Sequence, residues 1–274
     1  MAKTAVKAAP INPGKKRART KMTLALFSMM LPGFIYLIIN NYIPMAGLAI
    51  AFKRYDYSKG IWGSPWTGFS NFTYLFKTQD ALNIIRNTVG YNIVFILLGN
   101  LLAVAIAIML NNLRGTMNKK IYQTVILIPY LISMVVVSYI VFGFLSQENG
   151  FLNKLIVSMG GEPISWYTTS KYWPFILVIV NLWKGFGYSS ILYYATVIGI
   201  DSSLYEAATV DGANKWKQIW HVTLPGLRGT IITMVLLNLG RMFYTDFGLF
   251  YQVPMRSGLI SSVTDTIDVF VYKG

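Results

Sequence analysis

The sequence predicts an all-α integral membrane protein, and three observations carry that prediction. Hydrophobic residues make up 54% of the 274 residues, whereas charged residues make up only 12%. Soluble domains carry about 25% charged residues, so half of that supply cannot cover the surface of a soluble globule. The third observation is a set of long apolar runs, each close to the roughly 20 residues that a helix needs to cross a bilayer.

Five apolar runs are long enough to span a membrane, and none shows the polar stripe of a surface helix. The first run is about twice as long as the 7–15-residue core of a signal peptide, so we expect a retained anchor kinked by Pro32, Gly33 and Pro44. Five spans would leave the two termini on opposite sides, and we expect a sixth helix to be missing from this chain. The runs cover residues 22–50, 88–110, 122–144, 173–200 and 231–250.

The charge balance predicts a membrane partner and an orientation. Lysine and arginine number 24 against 10 acids, a formal net charge of +14. Such an excess is typical of proteins that bind nucleic acid or anionic membranes; the apolar composition favours membrane lipid, and no nucleic acid is expected. Seven of the basic residues, and no acid, fall in residues 1–21. By the positive-inside rule, 1–21 is a cytoplasmic basic tail preceding a transmembrane domain at 22–274.

Several classes of catalytic site are excluded by composition. The chain contains no cysteine and one histidine, His221, so thiolate sites, disulfides, multi-histidine metal sites and histidine-based triads cannot be built. A Gly-x4-Gly-Lys-Ser/Thr phosphate loop is also absent from the sequence. The chain is therefore not expected to be an enzyme or to bind a metal or cofactor of its own.

The segment 201–226 predicts two short helices joined by a turn. Ser203 and Glu206 fit a capping box at the start of the first helix. Gly212 can adopt the left-handed conformation that ends a helix. Pro225 is expected to stop the second helix before the fifth run.

This hairpin has two possible uses when its residues are read alone. Ala207 and Ala208 give the first helix a face of small side chains, which another backbone can approach closely, so the hairpin is suited to docking. Alternatively, it lies on the inner leaflet as an amphipathic hairpin anchored by Trp216 and Trp220. The local pattern does not separate these alternatives.

The hairpin resembles the cytoplasmic loop of permease subunits of binding-protein-dependent ABC importers. That loop has the pattern Glu-Ala-Ala, three residues, Gly, nine residues, Ile, one residue, Leu-Pro. Here the matching residues are Glu206, Ala207, Ala208, Gly212, Val222, Leu224 and Pro225, with valine in place of isoleucine.

Further stretches resemble carbohydrate-type permeases, from about Leu31 to the end of the chain. They include Trp183-Lys184-Gly185 and Asn149-Gly150-Phe151-Leu152-Asn153. Tyr42-Ile43-Pro44-Met45 and the stretch 265–272 are similar to a branch associated with oligosaccharides from complex polysaccharides, including uronate-containing (aldouronate-like) ones.

The resemblance implies a type I ABC importer permease bundle in the bacterial cytoplasmic membrane. It implies a second permease subunit, usually a different protein, and an extracellular solute-binding protein that delivers an oligosaccharide. Two ABC ATPase subunits would bind ATP and Mg and dock on the hairpin. The residues implied in ATPase coupling are Ser203, Glu206, Ala207, Ala208, Gly212, Leu224 and Pro225.

Polar residues within the apolar runs are the candidates for the substrate pathway. A charged side chain at the bilayer centre costs about 2.5–3.5 kcal/mol, so charges in the fourth and fifth runs should face the bundle interior. An alternative for two of them is a structural ion pair between Lys184 and Asp246. If cations line the pathway, acidic oligosaccharides become favoured over neutral ones. The candidates are Asn181, Lys184, Tyr193, Tyr194, Asn238, Arg241 and Asp246.

Other readings of the same sequence remain. Asn92 and Asn100, with Gly90 and Gly99, are interpreted as markers of close helix packing. A stand-alone secondary carrier or channel is the alternative function, although no internal repeat supports a carrier. An ABC importer permease for a non-sugar solute is a further alternative.

Overall fold

The structure, a computed structural model, describes the backbone of residues 13–273 and the side chains of 22–73 and 77–273. Residues 1–12 of the predicted basic tail lie outside this range. The chain divides into two compact units, Met1–Lys77 and Thr78–Gly274, which we describe separately. Across the described residues the backbone is helical and loop-like, and the one β-type contact is an isolated bridge between Lys53 and Trp66. The predicted all-α fold class is confirmed.

The first unit contains one long apolar helix, span one, at Met22–Phe52. It runs through Pro32 without ending, and its geometry changes just before Pro44, which has no N–H to donate to the α-helical ladder. Its successive segments are an α-helix at Pro13–Leu37, a π-helix at Ile38–Tyr42, a short α-helix at Ile43–Met45 and a 3₁₀-helix at Ala46–Phe52.

The segment after span one folds back on the end of that helix. Lys53 is 4% exposed; its Nζ donates to the carbonyl oxygens of Ile61 and Trp62 and lies 4.8 Å from the ring centroid of Trp66. Asn71 donates to the carbonyl oxygens of Ala51 and Lys53. The chain from Lys53 to Lys77 is therefore held against the end of span one, and it contains helices at Gly60–Gly63 and Ser70–Lys77.

The second unit contains the other helices that are long and apolar enough to cross a membrane. Span two is Gln79–Asn112, span four is Ser170–Ile198 and span five is Lys215–Leu239. Span three is a broken pair, Thr116–Leu131 and Met134–Leu145, bent by 93°. The remaining helices are Phe151–Ser158, Ser202–Val210, Phe247–Gln252, Gly258–Ile260, Ser261–Thr264 and Ile267–Lys273.

The structure has four helices long and apolar enough to span a membrane among the described residues, and five, as predicted, when the bent pair counts as one span. Two of the predicted runs are interrupted. The run 122–144 is two helices, because the chain is extended at Ile132 and Ser133. The run 231–250 ends as a helix at Leu239 and restarts at Phe247. Arg241 and Asp246 therefore lie beyond span five, not within it as predicted.

Two apolar clusters hold the second unit together. One forms around Trp173 and Leu177 of span four together with Phe250. The other forms around Tyr193, which packs among residues that include Ala103 of span two. Small side chains on span two let span four approach closely, which is the usual way that membrane helices associate. This packing fixes spans two and four side by side, so that both can contribute residues to one cleft.

Candidate functional site

A cleft of about 740 Å³ lies between spans two, four and five and the segment 240–246. The residues that line it recur every three or four positions on span two, so they occupy one helix face over roughly 12 Å. Polar amides and hydroxyls alternate with apolar side chains along its walls. The lining residues are Asn92, Phe95, Ile96, Gly99, Asn100, Asn181, Leu182, Gly185, Phe186, Ser189, Met234, Asn238, Gly240, Arg241, Tyr244, Thr245 and Asp246.

Four of the seven predicted pathway residues line this cleft. They are Asn181, Asn238, Arg241 and Asp246, and their contact with substrate stays a prediction. The other three, Lys184, Tyr193 and Tyr194, are not among the lining residues.

Lys184 holds the break in span three. Its Nζ donates to the carbonyl oxygens of Pro129 and Tyr130, at 3.4 and 3.1 Å, and to that of Ile132. The last carbonyls of a helix lack partners within the helix and carry partial negative charge, so an ammonium group is well suited to them. On the other side of the break, the Ser133 hydroxyl oxygen accepts from Val136 N. Lys184 therefore caps one half of span three.

Tyr193 and Tyr194 belong to the packed interior. Tyr193 is fully buried, and its hydroxyl donates to Asn100 Oδ1 at 2.5 Å, which ties span four to span two. The predicted packing role holds for Asn100 through this hydrogen bond, whereas Gly90 does not mark a close approach: a Cβ there would meet nothing within 4 Å, and one at Gly99 would meet Leu182 of span four at 4.0 Å.

The segment 240–246 forms the rim of the cleft and is braced from two sides. Asn92 Nδ2 donates to the carbonyl oxygens of Met242 and Tyr244, at 2.8 and 3.1 Å. Asp268 Oδ2 accepts from both the backbone N–H and the hydroxyl of Thr245, each at 2.7 Å. Sequence reasoning gave Asp268 no role. The only signal in the sequence was that Asp268 is acidic, because its partner Thr245 lies 23 residues earlier in the chain.

We expect Asp268→Ala to loosen this rim while the spans remain folded. The change leaves the Thr245 N–H without its acceptor, which costs about 1–3 kcal/mol. Amide hydrogen exchange over residues 242–250 should therefore accelerate about tenfold or more. Asp265→Ala is the control, because that side chain makes a salt bridge with Lys273 that is partly exposed and worth about 0–1 kcal/mol. Equal exchange in both variants would contradict the bracing role.

Of the two charged side chains that line the cleft, Asp246 has a partner within the described chain and Arg241 has none there. Asp246 caps the helix Phe247–Gln252, since its Oδ1 accepts from Leu249 N at 3.2 Å. The alternative ion pair between Lys184 and Asp246 is not formed; salt bridges between described side chains are Lys59–Asp56 and Lys273–Asp265. The Arg241 side chain makes no hydrogen bond or ion pair with any residue that the structure describes.

The predicted hairpin at 201–226 is present, with different caps. Its first helix, Ser202–Val210, begins at Asp201, whose carboxylate accepts from Ser203 N at 3.0 Å. This backbone hydrogen bond, with one from the Ser203 side chain, holds the pKa of Asp201 below its usual range. The predicted capping box of Ser203 and Glu206 is therefore wrong. Gly212 has φ +76°, which confirms its predicted left-handed conformation.

The second helix of the hairpin does not stop at Pro225, contrary to prediction. It begins at Lys215, passes through a π-helix at Ile219–Thr223 and continues as an α-helix at Leu224–Leu239. Pro225 lies in the first turn of that α-helix, where a missing N–H is tolerated. The hairpin and span five are consequently one continuous helix after the turn.

Side-chain hydrogen bonds close the hairpin on itself. Gln218 is buried, and its Nε2 donates to the Thr209 hydroxyl at 2.9 Å. The Tyr205 hydroxyl lies 3.0 Å from the Thr223 hydroxyl. These contacts fix the angle between the two helices, so the first helix is presented as a rigid element.

The outer face of the first helix is free of intrachain partners. Glu206 and Ala207 are exposed, and Ala208 is half-buried. The Glu206 carboxylate makes no hydrogen bond or ion pair with the described residues. Leu224 is half-buried and Pro225 exposed at the start of the long α-helix. Trp216 and Trp220 are 71% and 64% exposed, so the aromatic anchors of the alternative reading are exposed as well.

Comparison with known proteins places these features in a family. The family described as "Binding-protein-dependent transport system inner membrane component" matches residues 99–247, a range that contains most of the cleft and the whole hairpin. Protein LplB of Bacillus subtilis (strain 168) is 35% identical over 247 residues, which are 90% of this chain and 77% of that protein. The polygalacturonan/rhamnogalacturonan transport system permease protein YteP of the same organism is 33% identical over 264 residues, covering 94% and 82%.

Solved structures give the same answer for the fold. A crystal structure of a bacterial ABC transporter involved in the import of the acidic polysaccharide alginate matches with a TM-score of 0.84 and 30% identity, covering 94% of this chain and 86% of that chain. The alginate transporter in complex with an alginate pentasaccharide-bound periplasmic protein matches with a TM-score of 0.83 and 30% identity, covering 93% and 84%. This chain therefore belongs to the family of binding-protein-dependent transport system inner membrane components, and is a multi-pass membrane protein.

Proposed function

We propose that this chain is a membrane-spanning subunit of an ATP-driven importer that translocates oligosaccharides delivered by an extracellular binding protein. The observation that carries the proposal is the hairpin, a rigid helix with an exposed, unpartnered Glu206 joined directly to a wall of the cleft. Relatives named as polysaccharide permeases support the class of cargo. The polar cleft supports it too, because amides and hydroxyls suit sugar hydroxyl groups.

The proposal assigns ATP hydrolysis to other chains. Two ABC ATPase subunits bind ATP and Mg and dock on the hairpins of this chain and of a second permease, which is a different protein. This subunit binds no cofactor or metal of its own and is not an enzyme. The alginate transporter structure, which includes a periplasmic protein with bound pentasaccharide, supports the binding protein as a partner.

The proposed orientation places the amino terminus and the hairpin in the cytoplasm. With the bent pair counted as one span, four spans separate them, and the proposal therefore puts both on the same side of the membrane. Residues 1–21 hold seven basic residues, and the positive-inside rule favours the cytoplasm for such a segment. The binding protein then docks on the opposite side of the membrane.

The first test is coupling between the sugar and ATP hydrolysis in the complete complex in lipid. We expect Glu206→Arg and Gly212→Val to lower substrate-stimulated ATPase activity at least tenfold without loss of membrane insertion. The arginine reverses the charge of the exposed docking face. The valine cannot adopt φ +76° without strain, so it moves the first helix.

Lys217→Gln is the matched control, because this exposed side chain lies on the second helix and takes no part in the hydrogen bonds that close the hairpin. Its coupling should equal that of the wild type. If coupling is unchanged in both hairpin variants, the docking role is wrong. If no ATPase co-purifies with the intact subunit, a stand-alone carrier replaces the importer as the explanation.

A further inference from the structure

The cleft holds one cation that no other group in the described chain neutralises. Of the three ionisable residues predicted for the pathway, Lys184 is used by the carbonyl oxygens at the break in span three. Asp246 is used as the cap of the helix Phe247–Gln252. Arg241 alone faces the cleft with its side chain unpaired.

Arg241 lies just beyond the end of span five and is exposed, so its guanidinium is accessible to a ligand that enters the cleft. Its surroundings are suited to a polar ligand, since the amide groups of Asn181 and Asn238 line the same cleft. At about 740 Å³, the cleft falls within the usual range of small-molecule sites.

The backbone that carries Arg241 is held in place before any ligand arrives. Tyr244 N donates to the Arg241 carbonyl oxygen at 2.8 Å, closing a tight turn. Asn92 and Asp268 brace the residues that follow. A cation on a fixed backbone loses less freedom on binding than one on a mobile loop.

We propose that Arg241 binds a carboxylate of the transported sugar and selects uronate-bearing oligosaccharides within the cleft. The planar guanidinium matches a carboxylate with two parallel hydrogen bonds, whereas a neutral sugar offers no such partner. The Asn side chains then accept and donate to the hydroxyl groups of the same sugar. The inference rests on the proposed function, since it requires that the cleft carries oligosaccharide.

The test compares trigalacturonate with its methyl ester, a neutral cargo of the same length. Uptake is measured in proteoliposomes that hold the complete complex, with one binding protein throughout. Arg241→Gln should raise the KM for trigalacturonate about tenfold, the effect of losing one charge-assisted contact, and leave that of the ester unchanged. Arg241→Lys should recover part of the loss, because it restores the charge but not the two-pronged geometry.

Asp246→Asn gives an independent measurement with the acidic cargo alone. Asparagine caps a helix about as well as aspartate, so the fold is kept while a negative charge leaves the cleft. The KM for trigalacturonate should then fall, opposite in direction to the effect of Arg241→Gln. Arg228→Gln is the control, since this exposed cation on span five does not line the cleft.

Two results overturn the assignment of Arg241. One is an Arg241→Gln variant that transports trigalacturonate like the wild type. The other is an equal loss for the acid and the ester, together with no effect of Asp246→Asn. A wild-type subunit with which no ATPase co-purifies instead overturns the proposed function, and the carboxylate site with it.

Discussion

Gly187→Ala is expected to abolish the packing of span four against span three. A Cβ at this position would lie 1.8 Å from the carbonyl oxygen of Ile126, whereas real Cβ atoms do not approach within 3.0 Å. The obstacle is backbone, not the end of a flexible side chain, so the helices must separate by more than about 1 Å. Overpacking a tight core costs about 1–3 kcal/mol and occasionally more, and this contact belongs at the upper end.

The loss should be measured as the yield and melting temperature of the purified subunit in lipid or detergent. Gly185→Ala is the matched control, two residues away on the same helix, where an added Cβ meets nothing within 4 Å. Because alanine favours helix over glycine by about 1 kcal/mol, the control should be neutral or slightly stabilising. Equal stability of the two variants would show that spans three and four pack less closely than described.

Lys184→Met is expected to be the second most damaging change. Methionine keeps the unbranched shape and all but one heavy atom of the side chain but donates no hydrogen bond, so the carbonyl oxygens of Pro129, Tyr130 and Ile132 lose their shared donor. In a bilayer each unsatisfied backbone group is costly, and we expect a loss of about 3 kcal/mol, the upper value for a hydrogen bond to a charged group. The 93° break in span three should lose its fixed geometry.

The measurement separates this role from the substrate role predicted from sequence. If Lys184 holds span three, the methionine variant should lower the melting temperature and reduce transport of acidic and neutral sugars equally. Lys184→Arg should retain most of both, since it still donates to carbonyl oxygens. Lys171→Met, at an exposed lysine near the start of span four, should change neither. A selective loss of acidic cargo with normal stability would return Lys184 to the pathway.

Local pattern was sufficient to predict the number of spans, the hairpin and the left-handed Gly212. These features depend on residues that are near one another in the chain. The span limits were less predictable, because hydropathy does not distinguish a continuous helix from two helices separated by a short turn such as 240–246. The same limitation placed Arg241 and Asp246 inside span five.

The roles of individual polar side chains depended on distant partners. Lys184 looked like a pathway residue because an intramembrane cation is usually functional, yet its acceptors lie 52 to 55 residues earlier in the chain. Asp268 was overlooked for the same reason. Gly90 was interpreted as a marker of close packing, whereas it is Gly187 that faces a neighbouring backbone, that of Ile126, which lies far from it in the sequence.

The continuity of the helix Lys215–Leu239 has a mechanical consequence. Its 25 residues measure roughly 37 Å, and its far end carries Met234 and Asn238 of the cleft wall. An α-helix is stiff along its axis, so a displacement of Lys215 is transmitted to the far end of the helix. The π-helical turn at Ile219–Thr223 interrupts the α-helical hydrogen-bond ladder within that helix. The stiffness of this turn determines how much of a displacement at one membrane face reaches the other.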